Sequence, residues 1–212
     1  MKPAKFLSLC LSLLAPAAFA LDASSLKLAV QSVMLSTSPL CSNPVTVFSN
    51  PTPVEMDFLA NPTLGTGSPS DGTYNCVIIK MSDLIRFKPS ASAGSCVAGT
   101  EYTIDICRTD NGSSTRAPDA TGAPMACTGT EAAPLSDTVY LYLTTNPNAG
   151  GGGATFTQPT SAASTSGLNL SAPLVIAGSA KSKFVVNATG KVDGANGPCG
   201  LNPPVFGFQK LP

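Results

Sequence analysis

Thr73 to Ser90, TYNCVIIKMSDLIRFKPS, is the longest run in the chain that suits a buried or half-buried strand. It follows the turn pair Asp71-Gly72 and runs to Pro89. In an extended chain Tyr74, Cys76, Ile78 and Lys80 fall on one side, and Asn75, Val77, Ile79 and Met81 on the other. Both sides are largely apolar, which predicts an inner strand covered on both faces. Leu84 to Lys88 continues extended, with Ile85 and Phe87 inward and Arg86 and Lys88 outward. Ser82-Asp83 between the two halves reads as a bulge or short turn. Residues 54–59, 101–107 and 138–145 are the expected neighbours.

The rest of the chain supplies such neighbours and little else. Val54, Met56 and Phe58 alternate with Glu55 and Asp57, Tyr102, Ile104 and Ile106 with Thr103 and Asp105, and Val139, Leu141 and Leu143 with Tyr140 and Tyr142. Each is the period of a strand. Leu26 to Leu35 is ambiguous, because Leu28, Ser32 and Leu35 would also share a helix face. The absence of a cap and the Ser/Thr/Pro-rich exit favour a strand. Short β-branched or apolar runs recur at 45–48, 168–170, 174–176, 183–186 and 205–208, separated by turn signals such as Asp193-Gly194 and Asn196-Gly197. About eight to ten short strands at this spacing predict an all-β chain folded as an antiparallel β-sandwich with long polar loops. Residues 146–165, with Gly150 to Gly153 in a row, read as a flexible Gly/Ser/Thr-rich loop.

The start of the chain has the form of a secretory signal. Lys2 and Lys5 precede an apolar core at 6–14, and Ala18-Phe19-Ala20 offers small residues for cleavage before Leu21. Residues 1–20 are therefore expected to be removed, leaving residues 21–212 as one domain. Removing Lys2 and Lys5 leaves 10 basic against 12 acidic residues, a net charge of −2. Such a balance gives no electrostatic footprint for nucleic acid. The strands are too short and too poor in aromatic residues for a membrane barrel. A periplasmic, cell-surface or extracellular destination follows.

Cys41, Cys76, Cys96, Cys107, Cys127 and Cys199 remain after cleavage, and an even number in an exported chain predicts three disulfides. An extended strand at 101–107 places Cys107 about 20 Å from its start. Bridged Cα atoms lie about 4.4–6.8 Å apart, so Cys96 with Cys107 is excluded. Cys107 with Cys127 closes the polar excursion 108–126, and the remaining expectation is Cys76 with Cys96 and Cys41 with Cys199.

The chain has no histidine. This removes Ser-His-Asp and Cys-His catalysis and imidazole metal sites. Ser24-Ser25-Leu26-Lys27 matches Ser-x-x-Lys but lacks the partner motifs of the penicillin-binding enzymes. Gly150 to Gly153 lacks the Lys-Ser/Thr of a phosphate loop. Glu55 and Asp57 share one strand face and read as its solvent side. They are also the carboxylate pair weighed for a hydrolase. Asp105, Asp110, Asp119, Glu131 and Asp137 gather in or beside 108–137, where calcium is the ion to consider, but the spacing of a known calcium loop is missing. Tyr140 and Tyr142 form a possible contact surface for a saccharide or protein. No catalytic, cofactor-binding or metal-binding residue is assigned.

Val54 to Leu59, Asp71-Gly72-Thr73-Tyr74 and Leu201-Asn202-Pro203-Pro204-Val205-Phe206 resemble segments of bacterial exported or surface domains with a prealbumin-like or immunoglobulin-like sandwich. The resemblance implies a fold and brings no catalytic residues. The functional expectation is a non-catalytic structural or binding protein of the bacterial envelope or exterior, touching a protein or cell-surface partner through loops 61–72, 108–137 and 146–165. The alternative is a ligand-binding module for calcium or saccharide, and a carboxylate-based hydrolase comes third.

Overall fold

The computed structural model describes residues 20–60, 69–107, 125–127, 137–150, 155–178, 182–195 and 197–210. The expected signal lies outside them up to residue 19, as does most of loops 61–72 and 108–137. From the N-terminus the strands are β1 (Ala20–Leu21), β2 (Ala23–Ser36), β3 (Val45–Ser49), β4 (Glu55–Asp57), β5 (Gly72–Tyr74), β6 (Cys76–Ser82), β7 (Leu84–Pro89) and β8 (Tyr102–Asp105). They continue with β9 (Thr138–Thr144), β10 (Leu168–Asn169), β11 (Leu174–Ile176), β12 (Ser182–Asn187), β13 (Val192–Asp193), β14 (Gly200–Leu201) and β15 (Val205–Lys210). A 3-10 turn, Phe58–Ala60, follows β4. The fold is all-β, as expected. The strand number exceeds eight to ten because 73–90 divides into three strands and because two-residue strands carry almost no periodicity.

The ambiguous run at 26–35 lies inside β2, the longest strand described. β6 and β7 run antiparallel along one edge of β2, from Ser36↔Cys76 to Ala23↔Pro89. β3 and β4 run along its other edge. β8 then pairs with β7, and β9 with β6. The expected neighbours 101–107 and 138–145 therefore flank the 73–90 stretch, but residues 54–59 do not: β4 pairs with β2, which takes the place between them. The first part of the stretch also leaves this sheet, since β5 pairs with β11.

Because β2 is shared, its N-terminal half carries β4, β7 and β8, and its C-terminal half carries β3, β6 and β9, which adds β10 in parallel. The eight-stranded sheet curls along this ribbon, so that side chains from both halves meet in one core. Leu26, Leu28 and Val30 enter it from even positions, then a bulge at Gln31 shifts the register and brings Val33 and Leu35 in from odd ones. A one-residue shift exchanges the two faces of a strand, which is why the bulge is needed where the sheet turns. Val77, Ile79, Met81, Val139, Leu141 and Leu143 join the same core. Met34, Ile78, Cys41, Cys76, Tyr140 and Tyr142 pack on the opposite face. The β12–β15 pair adds Phe184 and Phe206, stacked at 5.7 Å, with Phe58 edge-on to Phe184 at 6.1 Å.

Three disulfides staple this frame: Cys41–Cys76, Cys96–Cys199 and Cys107–Cys127. The first two replace the expected Cys76–Cys96 and Cys41–Cys199. Cys76 begins β6, so the whole extended length of β6 and β7 lies between it and Cys96. Cys41 instead turns back onto β6 from the loop that leaves β2, with its N–H donating to the Ser38 carbonyl and its own φ at 58°. Cys96 lies in the turn after β7, where Gly94 and Gly194 let two backbones touch. A Cβ on Gly94 would sit 2.0 Å from the Gly194 carbonyl oxygen, and one on Gly194 would sit 2.4 Å from that of Ala93. That contact carries the 193–199 turn, and Cys199 with it, onto Cys96.

Candidate functional site

β9 alternates as its sequence predicts, with Leu141 and Leu143 in the core and Tyr140 and Tyr142 on the outer face. Tyr142 stands opposite Ile78 and Tyr140 opposite Lys80, and the two rings meet at 62° with centroids 6.1 Å apart. Both are half-buried. Burial, with Tyr140 as a neighbour, pushes the Tyr142 hydroxyl up to about 12, and burial also raises Tyr140. Cross-strand packing on Ile78 accounts for the inner edges of the rings, and their outer edges remain available for contact.

Glu55 and Asp57 both lie on β4, and each has a structural partner. Glu55 pairs with Arg86 across the sheet at 2.5 Å. Asp57 accepts the N–H of Leu26 at 3.1 Å and of Leu59 at 3.0 Å through one oxygen. Burial acts to raise the Asp57 carboxyl, but hydrogen bonds from the Ser25 hydroxyl and from the Leu26, Leu59 and Ala60 N–H groups outweigh it and hold the carboxyl below its usual value.

Of the acidic residues expected near a calcium ion, Asp105 and Asp137 are described, and Asp110, Asp119 and Glu131 lie outside the described residues. The structure brings to Asp137 a residue the sequence did not single out. Asp83, between β6 and β7, donates its N–H to the Asp137 carbonyl, accepts the Ile106 N–H on its own carbonyl and accepts the Cys107 N–H on its carboxylate. Asp83, Asp137 and the Cys107 sulfur offer ligand atoms within 4.8 Å of one another, and all three residues are buried. The Cys107 sulfur is bonded to Cys127, however, and a disulfide sulfur is not the thiolate that ligates metals. Two carboxylates remain, against the roughly six to eight oxygens calcium takes. Asp83, Asp105 and Asp137 have further partners of their own.

One opening among the described residues is of another kind. A cavity of about 160 Å³ lies between the curled sheet and the segment that follows Cys199. Leu26 and Leu28 of β2, Met81 of β6 and Leu141 of β9 line its buried floor. Ile85 and Ile104, which oppose each other in register, form one side. Phe156, Leu201, Asn202, Pro203 and Pro204 form the rim, and of these Asn202 and Pro203 are exposed. Thr155 and Asn202 are the polar residues among its lining, and no charged side chain is. Sequence reading missed it because each wall is an ordinary core-facing position, and only the closure of residues 155–156 and 201–206 over the sheet makes a space between them.

No protein-family model, no curated protein and no solved structure matches this chain, so what it does has to be read from its own geometry.

Proposed function

We propose that the chain is an exported, non-catalytic structural or binding protein of a bacterial cell envelope or exterior. The observation that carries the reading is the placement of the three disulfides. Cys41–Cys76 ties a loop to β6, Cys96–Cys199 joins two turns and Cys107–Cys127 holds the segment after β8, and such bonds form and persist in oxidising compartments. Among the described residues no helix is long and apolar enough to cross a membrane. The non-catalytic part rests on the acidic residues. Glu55 and Asp57, the pair a hydrolase would use, are committed to Arg86 and to backbone N–H groups.

Expression with residues 1–20 in a bacterial host, followed by fractionation and N-terminal sequencing, tests the reading. The expected product begins at Leu21, lies outside the cytoplasm and has no free thiol. Unprocessed protein in the cytoplasm would overturn export. Turnover of glycoside, ester or phosphate substrates that disappears in Glu55→Gln or Asp57→Asn would overturn the non-catalytic reading. The outward Tyr140–Tyr142 pair beside Lys80 favours one second reading, a saccharide-binding face. Saturable binding on a glycan array that Tyr140→Ala abolishes is its expected signature.

A further inference from the structure

We propose that the cavity over Leu26, Leu28, Met81 and Leu141 is a binding site for one small apolar group, either a single aromatic ring or a short alkyl tail. Its volume of about 160 Å³ matches the ~150 Å³ at which a dry apolar cavity takes up benzene or xenon. Water is a poor occupant, since it needs two to four polar partners and Thr155 and Asn202 are the polar lining residues. A charged or strongly polar ligand meets the same lack of partners.

The site is also preformed. Its floor belongs to the central strands β2, β6 and β9. Its rim is stiffened by Pro203-Pro204, whose φ angles are fixed by their rings. The rim is anchored twice: by the Cys96–Cys199 disulfide just before Leu201, and by the Asn202 N–H donating to the Lys191 carbonyl at 2.7 Å. A pocket that needs no rearrangement to receive a ligand loses little affinity to ordering. Loading does not depend on export or on the Tyr140–Tyr142 face, so it stands or falls separately from the envelope role.

Toluene and hexan-1-ol serve as the ring and alkyl probes, titrated into the oxidised full chain by calorimetry with melting temperature followed in parallel. Saturable binding of either at one site per chain, with a matching rise in melting temperature, is the expected result, and the probe that binds more tightly identifies the ligand class. Ile104→Trp narrows the space from the side, and Pro203→Trp plugs the exposed rim if the first variant fails to fold. Each folded variant is expected to bind about tenfold more weakly. Absence of saturable binding to the unaltered chain, or equal binding by a folded rim variant, would overturn the proposal.

Discussion

Asp57 illustrates how a residue that reads as solvent-facing becomes part of the frame. Its carboxylate holds the Leu26 N–H of the neighbouring strand and the Leu59 N–H of the turn that ends its own. Replacing it by Ala leaves both donors without this acceptor, and a loss of about 1–2 kcal/mol is expected from urea unfolding at neutral pH. The pH dependence follows from the direction of its shift. A carboxyl held below its ordinary value of 3.8 in the folded state contributes stability that is present above that value and is lost as pH falls through the folded one. The gap in urea midpoint between the unaltered chain and Asp57→Asn should therefore narrow as pH is lowered below about 4. A gap that is constant down to pH 2 would show that the charge on Asp57 contributes nothing. The alternation of β4 displayed this residue's face in the sequence. Its partners were hidden, because Leu26 is reached only through the β2–β4 pairing.

At the scale of elements, the bulge in β2 decides which side chains are core. If β2 ran straight through Gln31 with no bulge, Ser32 and Met34 would take the core positions now held by Val33 and Leu35 along the Ser32–Ser36 half of the strand. Inserting one alanine after Ser32, which turns Val33 and Leu35 outward, is therefore expected to abolish the cooperative transition in circular dichroism melting. Gln31→Ala, which keeps the register, should move the midpoint only slightly. Equal stability of the two variants would mean that β2 tolerates both registers. The same strand shows where the sequence was silent. The alternations at 54–58, 102–106 and 139–143 named strands correctly, but alternation carries no information about partners, and β2 itself was partly masked by the parity change at Gln31. The disulfide pairs failed for a related reason. An extended strand separates its ends, and that argument excluded Cys96 with Cys107. Applied to residues 76–89, at about 3.3 Å per residue, it puts Cys76 roughly 45 Å from the start of the turn holding Cys96. Seven further residues cannot return across that distance once β6 and β7 run end to end along β2, but the sequence left the pair open because Ser82-Asp83 also read as a turn that would fold the chain back. The cavity had no comparable signal, since nothing in residues 201–206 states which side chains they cover.

Across the whole molecule, the disulfides join parts that are remote in sequence, with separations of 103, 35 and 20 residues. In the loop-closure picture they contribute about 4.7, 3.8 and 3.3 kcal/mol respectively, the longest loop most. Together these approach the ~5–15 kcal/mol by which folded proteins usually exceed their unfolded states. Two consequences follow from this balance. Complete reduction should unfold the chain at 25 °C without denaturant, seen as loss of near-ultraviolet ellipticity from its tyrosines, since the sequence has no tryptophan. The single-bond variants should rank by loop length, with the Cys96→Ala/Cys199→Ala pair more damaging than the Cys107→Ala/Cys127→Ala pair. The first pair has a further effect, because Cys199 anchors the rim of the cavity as well as closing the longest loop. A reduced chain that keeps its near-ultraviolet signal would show that strand packing alone holds the curled sheet, and that the oxidising compartment is dispensable for the fold.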